Sequence, residues 1–152
     1  MLPYAVISSV DLSTFGETAL KLVVSGLCGA LIGWEREVKE KAAGLRTHTL
    51  VAMGSCLFTI LSFRLVSEAS GGDPMRVVQG LLMGLGFLAG GVIFREGVSV
   101  KGLTTAAGLW VLGAVGLAIG MGRYLEGILG TVFAFLVIEV LPRVQRKRRN
   151  LP

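Results

Sequence analysis

Five stretches of this chain are apolar for about the length of a bilayer, and that limits what it can fold into. They run Thr18 to Trp34, Thr47 to Val66, Val77 to Phe94, Leu103 to Met121 and Tyr124 to Leu141. Each is near the roughly 20 residues a helix needs to cross about 30 Å of hydrocarbon. In lipid only helices and closed barrels satisfy their own backbone, and these runs are continuous rather than alternating, so helices are expected. The 152 residues are 53% hydrophobic and 16% charged, against about 25% charged in an average soluble domain, so no soluble domain is expected besides them. The reading is an all-α, polytopic membrane helix bundle with five transmembrane helices. The membrane domain covers 1–142, and 143–152 form a basic cytoplasmic tail with no soluble C-terminal domain. The first span has no preceding Lys or Arg and no small-residue cleavage pattern after it, so it is expected to stay in the mature protein.

Basic residues set the orientation, because Lys and Arg flanking a span stay cytoplasmic. Eleven lie on one side: Arg36, Lys39, Lys41 and Arg46 in the first connector, Arg95 and Lys101 in the third, and five in the tail from Arg143 to Arg149. Arg64, Arg76 and Arg123 lie on the other. The N-terminus is therefore expected outside and the C-terminus inside. The net charge of +5 belongs mostly to that cytoplasmic face, which argues against nucleic-acid binding. The RKRRN run at Arg146 to Asn150 suits anionic lipid headgroups first and an acidic patch on a partner second.

Of the chain's 22 glycines, those within the spans matter by their spacing. Gly26, Gly29 and Gly33 form one smooth stripe, Gly80, Gly84 and Gly91 a second, with Gly86 and Gly90 on another face of that helix. Gly113, Gly116 and Gly120 form a third. Small residues on one face let helix backbones approach closely in lipid, so packing is the first reading and a glycine-lined polar pathway, broken at Gly86 to Gly91, the second. Such surfaces also suit self-association, most simply as a homodimer. Cys28 and Cys56 carry no metal or redox spacing and read as buried thiols. Glu17 and Lys21, four apart, suit a helical ion pair, or Lys21 snorkels to the headgroups. Asp73-Pro74 reads as an N-cap with proline at the first helical position. Arg64 and Glu139 sit at span ends, Glu139 within reach of the tail or the first connector.

The first connector divides in two. Glu35, Arg36, Glu37, Lys39, Glu40 and Lys41 alternate in sign like a solvated helix face. Arg46, Thr47 and His48 instead run straight into the second span, so Arg46 is expected to be partly buried and to need an acceptor. With Lys101, Thr104 and Thr105 these residues are expected to form one polar cytoplasmic cluster. In it Glu35 pairs with Arg46 or Arg36, and the threonines cap the fourth span or bind an anionic group. An ion-pair network that merely fixes the connectors is the plainer alternative.

At these residues the chain resembles the MgtC/SapB family of bacterial inner-membrane proteins. GALIGWERE at Gly29 to Glu37 with AGLRTHTLVAMGS at Ala43 to Ser55, DPMRVVQGLLMGLGFLAGGVIF at Asp73 to Phe94, and KGLTTAAGLWVLGAVGLAIGMG at Lys101 to Gly122 match its three signatures in order. Two departures stand out: larger members continue into a soluble cytoplasmic domain, and GFLAGGVIF replaces the more usual GFLGAGVI. The resemblance implies a five-helix domain with a cytoplasmic C-terminus, magnesium homeostasis and bacterial survival inside host cells. It also implies regulation of membrane partners such as the proton-translocating ATP synthase.

Mg²⁺ wants oxygen ligands, typically one or two carboxylates. All ten acidic residues lie at span ends or in connectors, which argues against a dehydrating Mg²⁺ channel. Glu35 and Glu37 are the candidates for holding a hydrated Mg²⁺, the one cofactor considered. No nucleophile elbow, metal-ligand spacing or phosphate loop points to an enzyme. The expectation is a membrane protein of ion homeostasis acting on a partner, with transport of Mg²⁺ or another small solute as the alternative.

Overall fold

The computed structural model describes residues 12–68, 73 and 75–149, with side chains described to 65 before the gap and to 143 at the end. Pro74, the last three residues and the side chains of most of the basic tail lie outside this range, so the proline-start and RKRRN expectations fall there. The described elements run α1 (Leu12–Val38), α2 (Leu45–Glu68), α3 (Met75–Gly91), β1 (Phe94–Glu96), β2 (Ser99–Lys101), α4 (Leu103–Gly120) and α5 (Tyr124–Arg149). Four helices are long and apolar enough to cross a membrane: α1, α2 to Leu65, α4 and α5 to Arg143. The shorter α3 is equally apolar but has only 17 residues.

α4 is the centre, packing against all four other helices. It is apolar on every side, as a helix surrounded by protein and lipid must be. Cys28 and Ile32 of α1, Ala52, Cys56 and Ile60 of α2, Leu112, Val115 and Ile119 of α4, and Ile138 of α5 make the core.

Glycine brings α1 and α4 onto the two sides of α2. A Cβ at Gly29 would stand 2.6 Å from the His48 carbonyl oxygen, and one at Gly33 2.8 Å from the Leu45 Cα. On the other side a Cβ at Gly116 would run into the Ala52 carbonyl, and one at Gly120 would lie 2.7 Å from the Thr59 Cβ. Gly26 faces the flexible Met53 side chain, and Gly113 lets the Leu85 side chain of α3 pack onto α4. By contrast a Cβ at Gly80, Gly84, Gly86, Gly90 or Gly91 of α3 would meet none of the described residues within 4 Å. Only Leu85 and Ala89 of that helix are buried.

Two boundaries differ from the apolar pattern. The third helix stops at Gly91 rather than Phe94, and the third connector is an antiparallel hairpin pairing Phe94 with Lys101, Arg95 with Val100 and Glu96 with Ser99. Gly97, at φ 61°, takes the first turn position, where glycine matches the twist of a two-residue hairpin. At the other end of the chain α5 does not stop at Leu141. It continues through Pro142, which removes one backbone hydrogen bond without ending the helix.

Glu17 and Lys21 form an ion pair at 2.6 Å, Arg64 donates to the Thr18 hydroxyl at 2.7 Å, and Asp73 Oδ1 accepts the Met75 N–H at 2.9 Å. Cys28 and Cys56 are buried free thiols.

Candidate functional site

The end of the bundle where α1 stops and α4 starts holds most of the charged candidates. Glu35 and Arg36 are both buried there, 9% and 4% exposed, and hold each other through two parallel hydrogen bonds, one of them Nη2 to Oε1 at 2.7 Å. This fork geometry keeps a buried pair favourable only because both ends are satisfied. Lys39 then bridges Glu35 on α1 to Glu139 on α5, at 2.5 Å to each, and Arg143 completes the chain on Glu139. The Glu139 carboxylate first, and Glu35 second, hold the Lys39 ammonium above the usual lysine range.

Glu37 acts differently. Its Oε2 accepts the Leu45 N–H at 2.7 Å, so the last turn of α1 caps the first turn of α2. A side chain at Gly44 would collide with that carboxylate, its Cβ only 2.5 Å from Oε2. Both Mg²⁺ candidates are thus already engaged, Glu35 by cations and Glu37 by backbone. Among the described residues no three His, Cys, Asp or Glu are grouped to hold a metal.

Arg46 corrects an expectation. It is exposed and has no ion pair or hydrogen bond among the described residues. The reason is rotational: the inward face of α2 runs through His48, Ala52, Ser55, Cys56 and Thr59, and Arg46 precedes His48 by two residues, about 200° around the helix. Glu35 accordingly takes Arg36 and Lys39 as partners, not Arg46. Thr47 is half-buried beside it.

His48 is fully buried between α1 and α4. Its Nδ1 meets the Gly44 carbonyl at 2.9 Å, while Nε2 has no hydrogen-bond partner among the described residues. Glycines flank it: a Cβ at Gly33 would lie 2.9 Å from the His48 Cβ, and one at Gly108 3.8 Å from Nε2. Gly108 was not among the expected packing positions, because it lies off the Gly113–Gly116–Gly120 stripe.

The remaining candidates gather around a cavity of about 1040 Å³ between the ends of α1, α4 and α5, with the hairpin at its edge. Arg36, Lys101, Thr104 and Thr105 all line it, whereas Arg46, Thr47 and His48 do not. The expected single cluster is therefore two neighbouring groups. Lys101 pairs with Glu96 across the hairpin. The threonines do not cap α4 as expected: Gly102 occupies the N-cap at φ 90° with no side-chain cap. A Cβ there would collide with the Val92 carbonyl, so glycine is required by both backbone conformation and space. Lys39, Glu139 and Arg143, which make the network's far half, carried only a partial signal. Glu139 is an acid at the inner end of the fifth apolar stretch, and an acid at such a place needs a cation or the interface.

Apolar helices arranged around a buried, glycine-packed α4, with charge pairs at their ends, define a multi-pass membrane protein. The chain belongs to the MgtC family, whose model matches residues 22–147. It is 39% identical over 139 residues to an Escherichia coli K12 protein named "Putative magnesium transporter YhiD", covering 88% of this chain and 65% of that one. It is 43% identical over 129 residues to "Protein MgtC" of Brucella abortus, covering 84% and 53%. A Synechocystis protein without an assigned function, slr0014, is 43% identical over 122 residues, 80% of this chain and 51% of its own length. The chain thus spans about half to two thirds of the length of these relatives. No solved structure matches it.

Proposed function

We propose that this chain serves magnesium and ion homeostasis in the bacterial inner membrane by modulating a membrane-protein partner. In this reading all five helices cross the bilayer, the N-terminus is outside, and the Arg36 end with the basic tail is cytoplasmic, in keeping with the distribution of Lys and Arg.

The observation that carries the proposal is the bare glycine surface of α3. Its five glycines, on two faces of the helix, meet none of the described residues within 4 Å, beside a shallow groove lined by Gly86, Phe87, Leu88, Gly90, Gly91 and Val92. In lipid such a face gains dispersion contacts only when another helix lies on it. It accommodates a partner's helix, and a second copy in a homodimer engages the same kind of surface. A conduit for dehydrated Mg²⁺ is less well supported, because Glu35 and Glu139 are held by the protein's own cations. Transport is the second reading, favoured by the open cavity at the cytoplasmic end and by the printed name of the Escherichia coli relative.

Two measurements on the full chain test the proposal. Reconstituted in liposomes it is expected to give no Mg²⁺ flux. With Gly84→Cys it is expected to cross-link through α3 to a membrane protein. Selective Mg²⁺ flux abolished by Thr105→Val, with no α3 cross-link, would replace modulation by transport.

A further inference from the structure

The cavity between α1, α4 and α5 is larger than its ion pairs require. At about 1040 Å³ it matches the upper end of pockets that hold organic ligands. Five cations line it, Arg36, Lys39, Lys41, Lys101 and Arg143, against two carboxylates, Glu40 and Glu139. Glu35 and Glu96 neutralise part of this charge from outside the lining, but Lys41 has no ion pair among the described residues.

α4 begins at this cavity, where Gly102, Leu103, Thr104 and Thr105 are all part of the wall. No side chain caps the helix, so its first N–H groups and the positive end of its dipole are open to a ligand. Thr105 supplies an independent sign. It is 3% exposed, lines the cavity, and its hydroxyl makes no hydrogen bond among the described residues. The residue is almost wholly enclosed, so its hydroxyl has the cavity as its outlet, and an acceptor placed there would gain a hydrogen bond from it.

The rest of the wall is apolar. Phe94, Leu103, Val137 and Leu141 line the cavity, and each is about half exposed. Cations and free N–H donors beside uncovered apolar side chains, at the end of membrane helices, fit one kind of ligand.

We propose that this cavity binds the phosphate of an anionic phospholipid, with the phosphate at the start of α4 and Thr105, and the acyl chain along Val137 and Leu141. The site goes beyond the role in ion homeostasis and does not depend on it. Its essential chemistry, an organic phosphate, is shared with soluble phosphate esters, so the test separates the two sources.

The full chain, purified in a neutral detergent, is titrated with phosphatidylglycerol, with phosphatidylcholine and with glycerol phosphate, and bound ligand is counted by native mass spectrometry. Saturable binding of one phosphatidylglycerol, about tenfold tighter than phosphatidylcholine, is expected. Lys41→Gln, an exposed change that leaves the helices untouched, and the near-isosteric Thr105→Val are each expected to weaken it about fivefold. Arg123→Gln, at the opposite end of the bundle, is expected to leave it unchanged. Failure of glycerol phosphate to displace the lipid assigns the site to the bilayer, and full displacement assigns it to a soluble phosphate ester. Equal binding of the two lipids, or equal loss in Arg123→Gln and the cavity variants, would overturn the proposal.

Discussion

α1 and α4 each turn glycines toward α2, whereas those of α3 meet none of the described residues within 4 Å. The same spacing of small residues thus ends in two ways. Around α2, Gly29, Gly33, Gly116 and Gly120 are each backed by a carbonyl, a Cα or a short side chain, and serine and threonine complete the contact, as where the Ser25 hydroxyl reaches the Ala52 carbonyl at 2.8 Å. Along α3 the exposed residues include Met83, Phe87 and Leu88, while Leu85 against Gly113 anchors it to α4. A glycine stripe therefore tells where backbones approach, and only the packing of the whole chain tells which stripes are still open.

The strongest way to break this contrast is to fill both kinds of stripe. Gly116→Leu places a branched side chain against the α2 backbone, and a loss of about 3 kcal/mol or more is expected, read as failure to accumulate or a collapsed melting temperature in detergent. Glu35→Gln strands the buried Arg36 and is expected to cost about 3 kcal/mol, read by the same melting assay. Lys39→Ala unties α1 from α5 at an exposed bridge, so a smaller drop in melting temperature is expected. Because the bridge raises the folded lysine's value, its contribution is complete below about pH 10 and fades as the pH rises through that raised value. The difference between Lys39→Ala and the parent should hold steady at neutral pH and shrink in strong alkali. Gly80→Leu is the sharpest probe of the contrast: a change under about 0.5 kcal/mol in the chain's own stability is expected, together with loss of the cross-link when it is combined with Gly84→Cys.

The five apolar helices and their order were legible from length and composition alone, as was the Glu17–Lys21 pair, because i, i+4 spacing is a local rule. The hairpin was not. Phe94 and Val100 extend the apolar runs on either side, so hydropathy carried the third span past Gly91, and only Gly97 marked the turn. Arg46 misled for a similar reason. Its nearness to a span was readable, but the face it takes depends on where α2 starts, which Glu37 fixes from the previous helix. The cavity itself required three helix ends and a hairpin to meet, a juxtaposition no single window of sequence contains. Arg36, Lys101, Thr104 and Thr105 were found as residues, and Lys39, Glu139 and Arg143 were the part that depended on the fold.

The brevity of α3 bears on the membrane around it. Seventeen helical residues rise about 25 Å, while the hydrocarbon is about 30 Å thick. If α3 crosses, it draws the two leaflets together on its side of the molecule, at a fraction of a kcal/mol for each ångström. Two such dimples lower their cost by merging. Thin bilayers should concentrate the protein, and thick ones should press α3 against whatever neighbour shares its dimple.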